Sequence, residues 1–367
     1  MTDLAQDLAR AAKHHNLEAG FDVERIRQDF PILSREVHGK PLVYFDSGAS
    51  AQKPRAVIDA MVEVMENEYT NVHRGAHYLS QTLTDRYEGV RETIARFINA
   101  GSENEIVITR NTTEAINLVA ATYGRKFLSK GDGVVISDME HHANIVPWQM
   151  LRDEIGIELK IAPIDDRGVL DLDAYGDLLD QNTKLVAMTH CSNVLGTVVP
   201  AAEIVRMAHD RGIPVLLDGS QAVVHSKVDV QALDADFYVF TGHKLYGPTA
   251  IGVLYGKAEL LAQMPPYQGG GDMIATVTYD KTTYAEPPYR FEAGTPPIIE
   301  AIGLGAAIDY VSAIGMDAIQ THESALLAYG MERLGEMPDI KLFGTAPEKA
   351  AIFSFIQEGI HPFDTAA

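Results

Sequence analysis

From residue 105 to residue 256 the chain repeats one pattern: a short apolar run closed by a polar or small residue, then a segment of helical spacing. The runs are EIVIT, GVVIS, LKIAPI, KLVAMT, PVLLD, DFYVFT and AIGVLYG, and TEAINLVAAT, NIVPWQML, DAYGDLLD and AAEIVRMAHDRG fall between them. Strands that are apolar on both sides have to be covered on both faces. Their alternation with helices predicts an α/β layer structure with a largely parallel sheet. Upstream, residues 54–69 open on Pro54 and carry apolar residues at 58, 61, 62, 65 and 69, which predicts a helix with that face inward. Residues 84–98 repeat the spacing with Tyr87, Val90, Ile94, Phe97 and Ile98. Residues 298–336 read as helical, and DIKLFG and AAIFSFIQEG as strands of a second, smaller unit.

A chain of 367 residues is too long for one ordinary domain, and 46% apolar content supplies a sizeable core. The expected division is an arm or helix over 1–30, a large domain over 31–310 and a small α+β domain over 311–367. With 51 acidic against 30 basic residues the formal charge is −21, which argues against nucleic acid or an anionic membrane as partner. An anionic small ligand then needs local positive potential. The one cysteine, Cys191, excludes an intrachain disulfide and a cysteine-based metal cluster. The start lacks an apolar core of signal-peptide type and no apolar run approaches a bilayer's thickness, so the expected compartment is the cytoplasm.

In open parallel sheets ligands bind beyond the carboxyl ends of the strands. The residues there are Asn111-Thr112-Thr113, Glu140-His141-His142, His190-Cys191-Ser192-Asn193, Asp218 to Gln221, and Thr241 to Lys244. Each has a plain structural reading. Asn111 and Glu114 can cap a helix, although Thr112 and Thr113 at its start also suit a phosphate. Asp218 can cap the next helix, or anchor a protonated ring nitrogen with Gln221 reaching the same cavity. His141 and His142 are ordinary surface or core histidines, or a flat ring stacked on an aromatic cofactor. Cys191 reads as a small buried hydrophobe. Lys244 discriminates: a desolvated amine there can attack an aldehyde to form a Schiff base. Together with Asp218 it suits pyridoxal phosphate, the lysine at the aldehyde and the carboxylate at the pyridinium.

The stretches DGSQAVVHSKVDVQALDADFYVFTGHKLYGPTAIGVLYG, NTTEAINLVA, MEHHANIVPWQ, SNVLGT and FEAGTP resemble the SufS-type (group II) cysteine desulfurases, from about residue 22 to the end. These belong to aminotransferase class V, pyridoxal-phosphate enzymes of fold type I. The resemblance implies a fold type I α/β transferase, an enzyme converting L-cysteine to L-alanine and passing persulfide sulfur toward iron–sulfur cluster assembly. It implies Lys244 as covalent anchor and Asp218 on the pyridine nitrogen. His141 stacks on the ring and serves in proton transfer, and Gln221 reaches the phenolic oxygen. Thr113, Thr241 and His243 hold the phosphate, and Asn193 stands near substrate and ring. It further implies a homodimer in which Thr295 reaches the other subunit's phosphate. His73 and Arg74 border the substrate entrance, and a sulfur acceptor of the SufE or SufU kind is the partner. Thr241 stands where the family often has serine. The family's nucleophilic cysteine and substrate-carboxylate arginine lie beyond the region matched by HPFDTAA, so a C-terminally truncated desulfurase is expected, with little persulfide formed. Cys191 matches neither position. The competing readings are a catalytically silent pyridoxal-phosphate scaffold in sulfur transfer, a selenocysteine lyase, or another fold type I lyase such as a kynureninase relative.

Overall fold

The computed structural model describes residues 21–366. Most of the expected N-terminal arm, residues 1–20, lies outside the described residues.

All seven expected strands form, and they build one sheet. They are β1 (Ile106–Thr109), β2 (Gly133–Ser137), β3 (Glu158–Ala162), β4 (Thr183–Thr189), β5 (Val215–Asp218), β6 (Phe237–Thr241) and β7 (Gly252–Gly256). The spatial order is β3-β2-β4-β5-β6-β7-β1, and β7 alone runs against the rest. Side chains alternate between two cores. Val215 and Leu217 join one cluster while Leu216 joins the other, and Val134 and Val135 divide in the same way. Both faces of the inner strands are therefore covered, which is why they run apolar until their ends, whereas the edge strand β3 is largely unburied and carries Lys160 at its centre.

The chain leaves β2 toward β3 on one side and leaves β4 toward β5 on the other. Loops that diverge from neighbouring strand ends open a crevice at the carboxyl edge. Helices α1 (Arg55–Glu63) and α2 (Tyr78–Phe97) pack on α6 (Ile298–Ile314) on one face. Helices α3 (Thr112–Val119), α4 (Val146–Ile155) and α5 (Ala201–His209) follow β1, β2 and β4. After α6 come α7 (Met316–Gly335) and an antiparallel hairpin, Ile340–Phe343 with Ser354–Gln357. No single helix among the described residues is long and apolar enough to cross a membrane.

The face expected inward on residues 54–69 is not the buried one. Val57 and Val64 are buried, whereas Met65 and Tyr69 are 52% and 62% exposed. Pro54 precedes the helix as its cap, and after Glu63 the chain winds a π turn, Val64–Glu68. A wider turn moves the residues after it off the 3.6-residue phase.

Candidate active site at the carboxyl edge of the sheet

Four strand ends and one helix start meet here. Thr109 and Thr241 both lie across from Gly252, so β1 and β6 finish on either side of β7. A Cβ on Gly252 would stand 2.5 Å from Asn111 Cα, so only glycine lets the start of α3 lie over this strand. Asn111 Oδ1 accepts the Glu114 N–H at 2.8 Å as the cap. The Glu114 carboxylate reaches one residue further back than a capping box, to the Arg110 N–H at 2.6 Å. Buried Thr112 meets Ser220 hydroxyl to hydroxyl at 2.8 Å, tying the start of α3 to the turn after β5. Thr113, one residue on, is exposed.

Asp218 ends β5 between Thr189 of β4 and Val239 of β6 and is 5% exposed. Its Oδ1 accepts the Ser220 N–H at 2.9 Å. Gly219 is forced: a Cβ there would fall 2.1 Å from the Tyr238 ring. Lys244 follows β6 in a turn held by Leu245 and Gly247 N–H groups on the Gly242 carbonyl, at 3.0 and 2.9 Å. Burial lowers the Lys244 amine below its ordinary value, and the Asp218 charge pulls it back up. The two charges thus interact across adjacent strand ends.

His141 stands in the turn after β2. Its Nδ1 accepts the Ala143 N–H at 3.1 Å, so the neutral ring carries its proton on Nε2. Burial and the Lys244 charge hold its pKa down, while Asp218 acts the other way. His141, Lys244 and Asp218 are therefore near enough for their charges to act on one another. His243 is held down by burial, then by Lys244 and Lys53. Thr241 Oγ1 donates to the Ile251 carbonyl at 3.3 Å. Asn193, half-buried, lies in the turn beyond β4.

Residues 48–53 form a strap that sequence reasoning missed. Buried Gln221 donates from Nε2 to the Gly48 carbonyl at 2.7 Å. The His243 carbonyl accepts from Ala51 N at 3.0 Å and Lys53 Nζ at 3.2 Å. Burial lowers Lys53 to about 8. Main-chain partners leave no side-chain pattern in the sequence; the only signal is an isolated lysine before Pro54.

Cys191 is 2% exposed, and burial pushes its thiol up to about 12. Its neighbour His190 accepts or donates through Nδ1 to the Tyr238 hydroxyl at 2.9 Å, and burial lowers it to about 4.

His73 and Arg74 stand apart from Lys244. They line a cavity of about 380 Å³ with Asp272, Tyr289, Glu292 and Pro296. Exposed Thr295 lies in the same segment. His73 Nε2 meets Glu88 at 2.8 Å, and Glu88 accepts from Arg91 at 3.0 Å. Arg91, 1% exposed, also grips Glu292 at 2.7 and 3.1 Å. Arg74 pairs with Asp272 at 2.5 Å.

A switch-point crevice with a desolvated lysine facing a buried aspartate defines a class of protein, and the family comparison agrees. Residues 43–367 match the aminotransferase class-V family, and the chain belongs to it. Among its relatives, it is 53% identical over 348 residues to a cysteine desulfurase of Serratia proteamaculans, covering 95% of this chain and 86% of that protein. It is 55% identical to one of Dickeya dadantii, covering 95% and 84%. Against a cysteine desulfurase of Synechococcus elongatus it is 53% identical but spans only 55% of that protein's length. The crystal structure of the cysteine desulfurase CsdA of Escherichia coli, in an S-sulfonic acid form, superposes with a TM-score of 0.85 at 38% identity, over 94% of this chain and 84% of that one. The apo cysteine desulfurase of Thermococcus onnurineus NA1 gives 0.87 at 38% identity, over 95% and 86%.

Proposed function

We propose that the chain is a pyridoxal-phosphate-dependent cysteine desulfurase of the SufS type, acting on L-cysteine in the cytoplasm as a homodimer. The overall change is L-cysteine plus a thiol giving L-alanine plus a persulfide. The substrate C–S bond breaks, an S–S bond forms, and no outside oxidant or reductant is needed. Relatives above 50% identity support the activity, and the pairing of Lys244 with Asp218 carries the cofactor reading.

The donor set suits the cofactor. Asp218 is a buried carboxylate whose hydrogen bond leaves room for a cationic ring nitrogen. The start of α3 with Thr113, together with His243 and, once it turns from the Ile251 carbonyl, the Thr241 hydroxyl, offers N–H and hydroxyl donors to a phosphate. When bound, pyridoxal phosphate supplies an electron sink for charge developing at the substrate Cα. The protein's part follows from its side chains. Asp218 holds positive charge on the ring nitrogen in a preorganised field. Lys244, desolvated, gives up its proton readily and serves first as covalent anchor, then as base. His141 presents Nε2–H and so donates toward the departing sulfur. Gln221 and Asn193 face the ring oxygen. Thr112 supports the phosphate site through Ser220. We assign His73 and Arg74, with Thr295 from the segment beside them, to the site of the second copy, because the cavity that His73 and Arg74 line holds neither Lys244 nor Asp218. The thiol is not Cys191, and a sulfur-acceptor protein of the SufE or SufU kind receives the product sulfur.

Lys244→Ala tests this reading. The wild-type protein loaded with pyridoxal phosphate is expected to keep a visible absorption band through dialysis, and the variant to lose it. A variant that kept the band would contradict the anchor. Alanine release from L-cysteine, selenocysteine and cysteine sulfinate, compared in one assay, separates a desulfurase from a selenocysteine lyase, and no release from any marks a silent binding protein.

A further inference from the structure

The β2–β4 ladder pairs Val135 with Val186 and goes no further, although both strands continue. The gap is filled by side chains from the turn after β2. Glu140, 8% exposed, accepts the Ser137 hydroxyl at 2.5 Å and the Thr189 N–H at 2.9 Å on Oε1. Its Oε2 accepts from Asn144 Nδ2 at 2.7 Å. Asn144, fully buried, also donates to the Ala187 carbonyl at 2.9 Å and accepts the Trp148 indole N–H at 2.9 Å. Every one of these contacts on Glu140 donates into it, the pattern of an acceptor-only carboxylate. No lysine or arginine is within salt-bridge reach of it among the described residues. A buried carboxylate without a cation is costly, and here three buried donors offset that cost, so an apolar residue in its place would leave the Ser137, Thr189 and Asn144 donors unpaired.

We propose that Glu140 is a positioning residue for His141: its carboxylate staples the split ends of β2 and β4 to the turn between them, and so fixes the orientation of the adjacent imidazole. The turn itself closes with Asn144 N–H on the His141 carbonyl at 2.8 Å and Ala143 N–H on the His141 ring. Glu140 and Asn144 therefore hold both ends of the segment whose N–H selects the His141 tautomer. A glutamine cannot replace the carboxylate. Its amide N–H₂ would face either Asn144 Nδ2 or the Thr189 N–H, and Asn144 cannot flip without turning its own N–H₂ on the Trp148 donor.

The inference rests on reading His141 as the residue facing the cofactor ring, yet its test needs no cofactor. Apo protein labelled with 15N-histidine is examined by NMR at pH 8, above the value of about 7 to which burial pushes Glu140. The His141 signals, among 13 histidines, are assigned by their loss in His141→Asn. The wild type is expected to show an unprotonated Nδ1 and a protonated Nε2. Glu140→Gln, with folding checked by circular dichroism, is expected to show tautomer-averaged signals, and a pyridoxal-phosphate affinity at least fivefold weaker. Ser137→Ala, which removes one donor and keeps the fold, is expected to move the same signals part of the way. Wild-type His141 signals in either folded variant would overturn the proposal. A wild-type protein with no visible band would instead contradict the cofactor reading, and the NMR comparison would still decide the role of Glu140.

Discussion

Thr112 and Ser220 sit hydroxyl to hydroxyl at 2.8 Å, both buried, and join the start of α3 to the turn that carries Asp218. This bond crosses above two intervening strands and ties the phosphate end of the proposed site to the ring-nitrogen end. Thr112→Val keeps the shape and leaves the Ser220 hydroxyl buried without its partner. The expected loss is about 1–3 kcal/mol in urea unfolding. Thr112→Ser is expected to stay near wild type, and an unchanged valine variant would show the bond to be incidental.

Gly252 and Gly89 make opposite predictions. A Cβ at 252 meets the Asn111 main chain at 2.5 Å, whereas nothing lies within 4 Å of one at Gly89, inside helix α2. Gly252→Ala is expected to cost roughly 1–3 kcal/mol or more and to weaken pyridoxal-phosphate binding by lifting the start of α3. Gly89→Ala is expected to gain about 0.5–1 kcal/mol. Thermal unfolding of both reads the signs, and equal effects would contradict the close approach.

His190 predicts an acid-sensitive core. Burial lowers it from 6.5 to about 4, so the unfolded chain binds its proton first as the pH falls. The resulting loss of stability begins below pH 6.5 and is complete near 4, at about 3 kcal/mol. His190→Gln is expected to be less stable at pH 7 but to lack this part of the decline. Parallel stability–pH curves for the two proteins would contradict it.

Cys191 is expected to be inert. With its thiol pushed up to about 12, almost none is thiolate at pH 8. Iodoacetamide should label it only after denaturation, and Cys191→Ala should leave sulfide release from L-cysteine within about twofold of wild type. Rapid labelling of the native protein would reopen a role in sulfur transfer.

The sheet was legible because a strand covered on both faces is written as an uninterrupted apolar run, as in Val215–Leu217, with its one polar residue at the ligand edge. The same logic singled out Asp218, His141 and Lys244 as candidates, because each follows such a strand at the ligand edge. Packing phase was less legible: Val57 is buried and Val62 exposed already before the π turn at Val64–Glu68, and that turn then shifts the residues after it without any marker in the sequence. The Gly48–Lys53 strap escaped because its partners are carbonyls. Glu140 was visible only as one polar residue among several, since its meaning depends on where the β2–β4 ladder stops.

Burial lowers the pKa of three lysines among the described residues, Lys244, Lys53 and Lys349, and of these Lys244 is the one on which the Asp218 charge acts. Borohydride reduction of the pyridoxal-phosphate-loaded protein, followed by peptide mass mapping, separates them directly. The account predicts one pyridoxyl group per chain, on Lys244, with a labelling midpoint below pH 10.5 because burial lowers that amine. A label on Lys53, or spread over surface lysines with Lys244 unmodified, would contradict it.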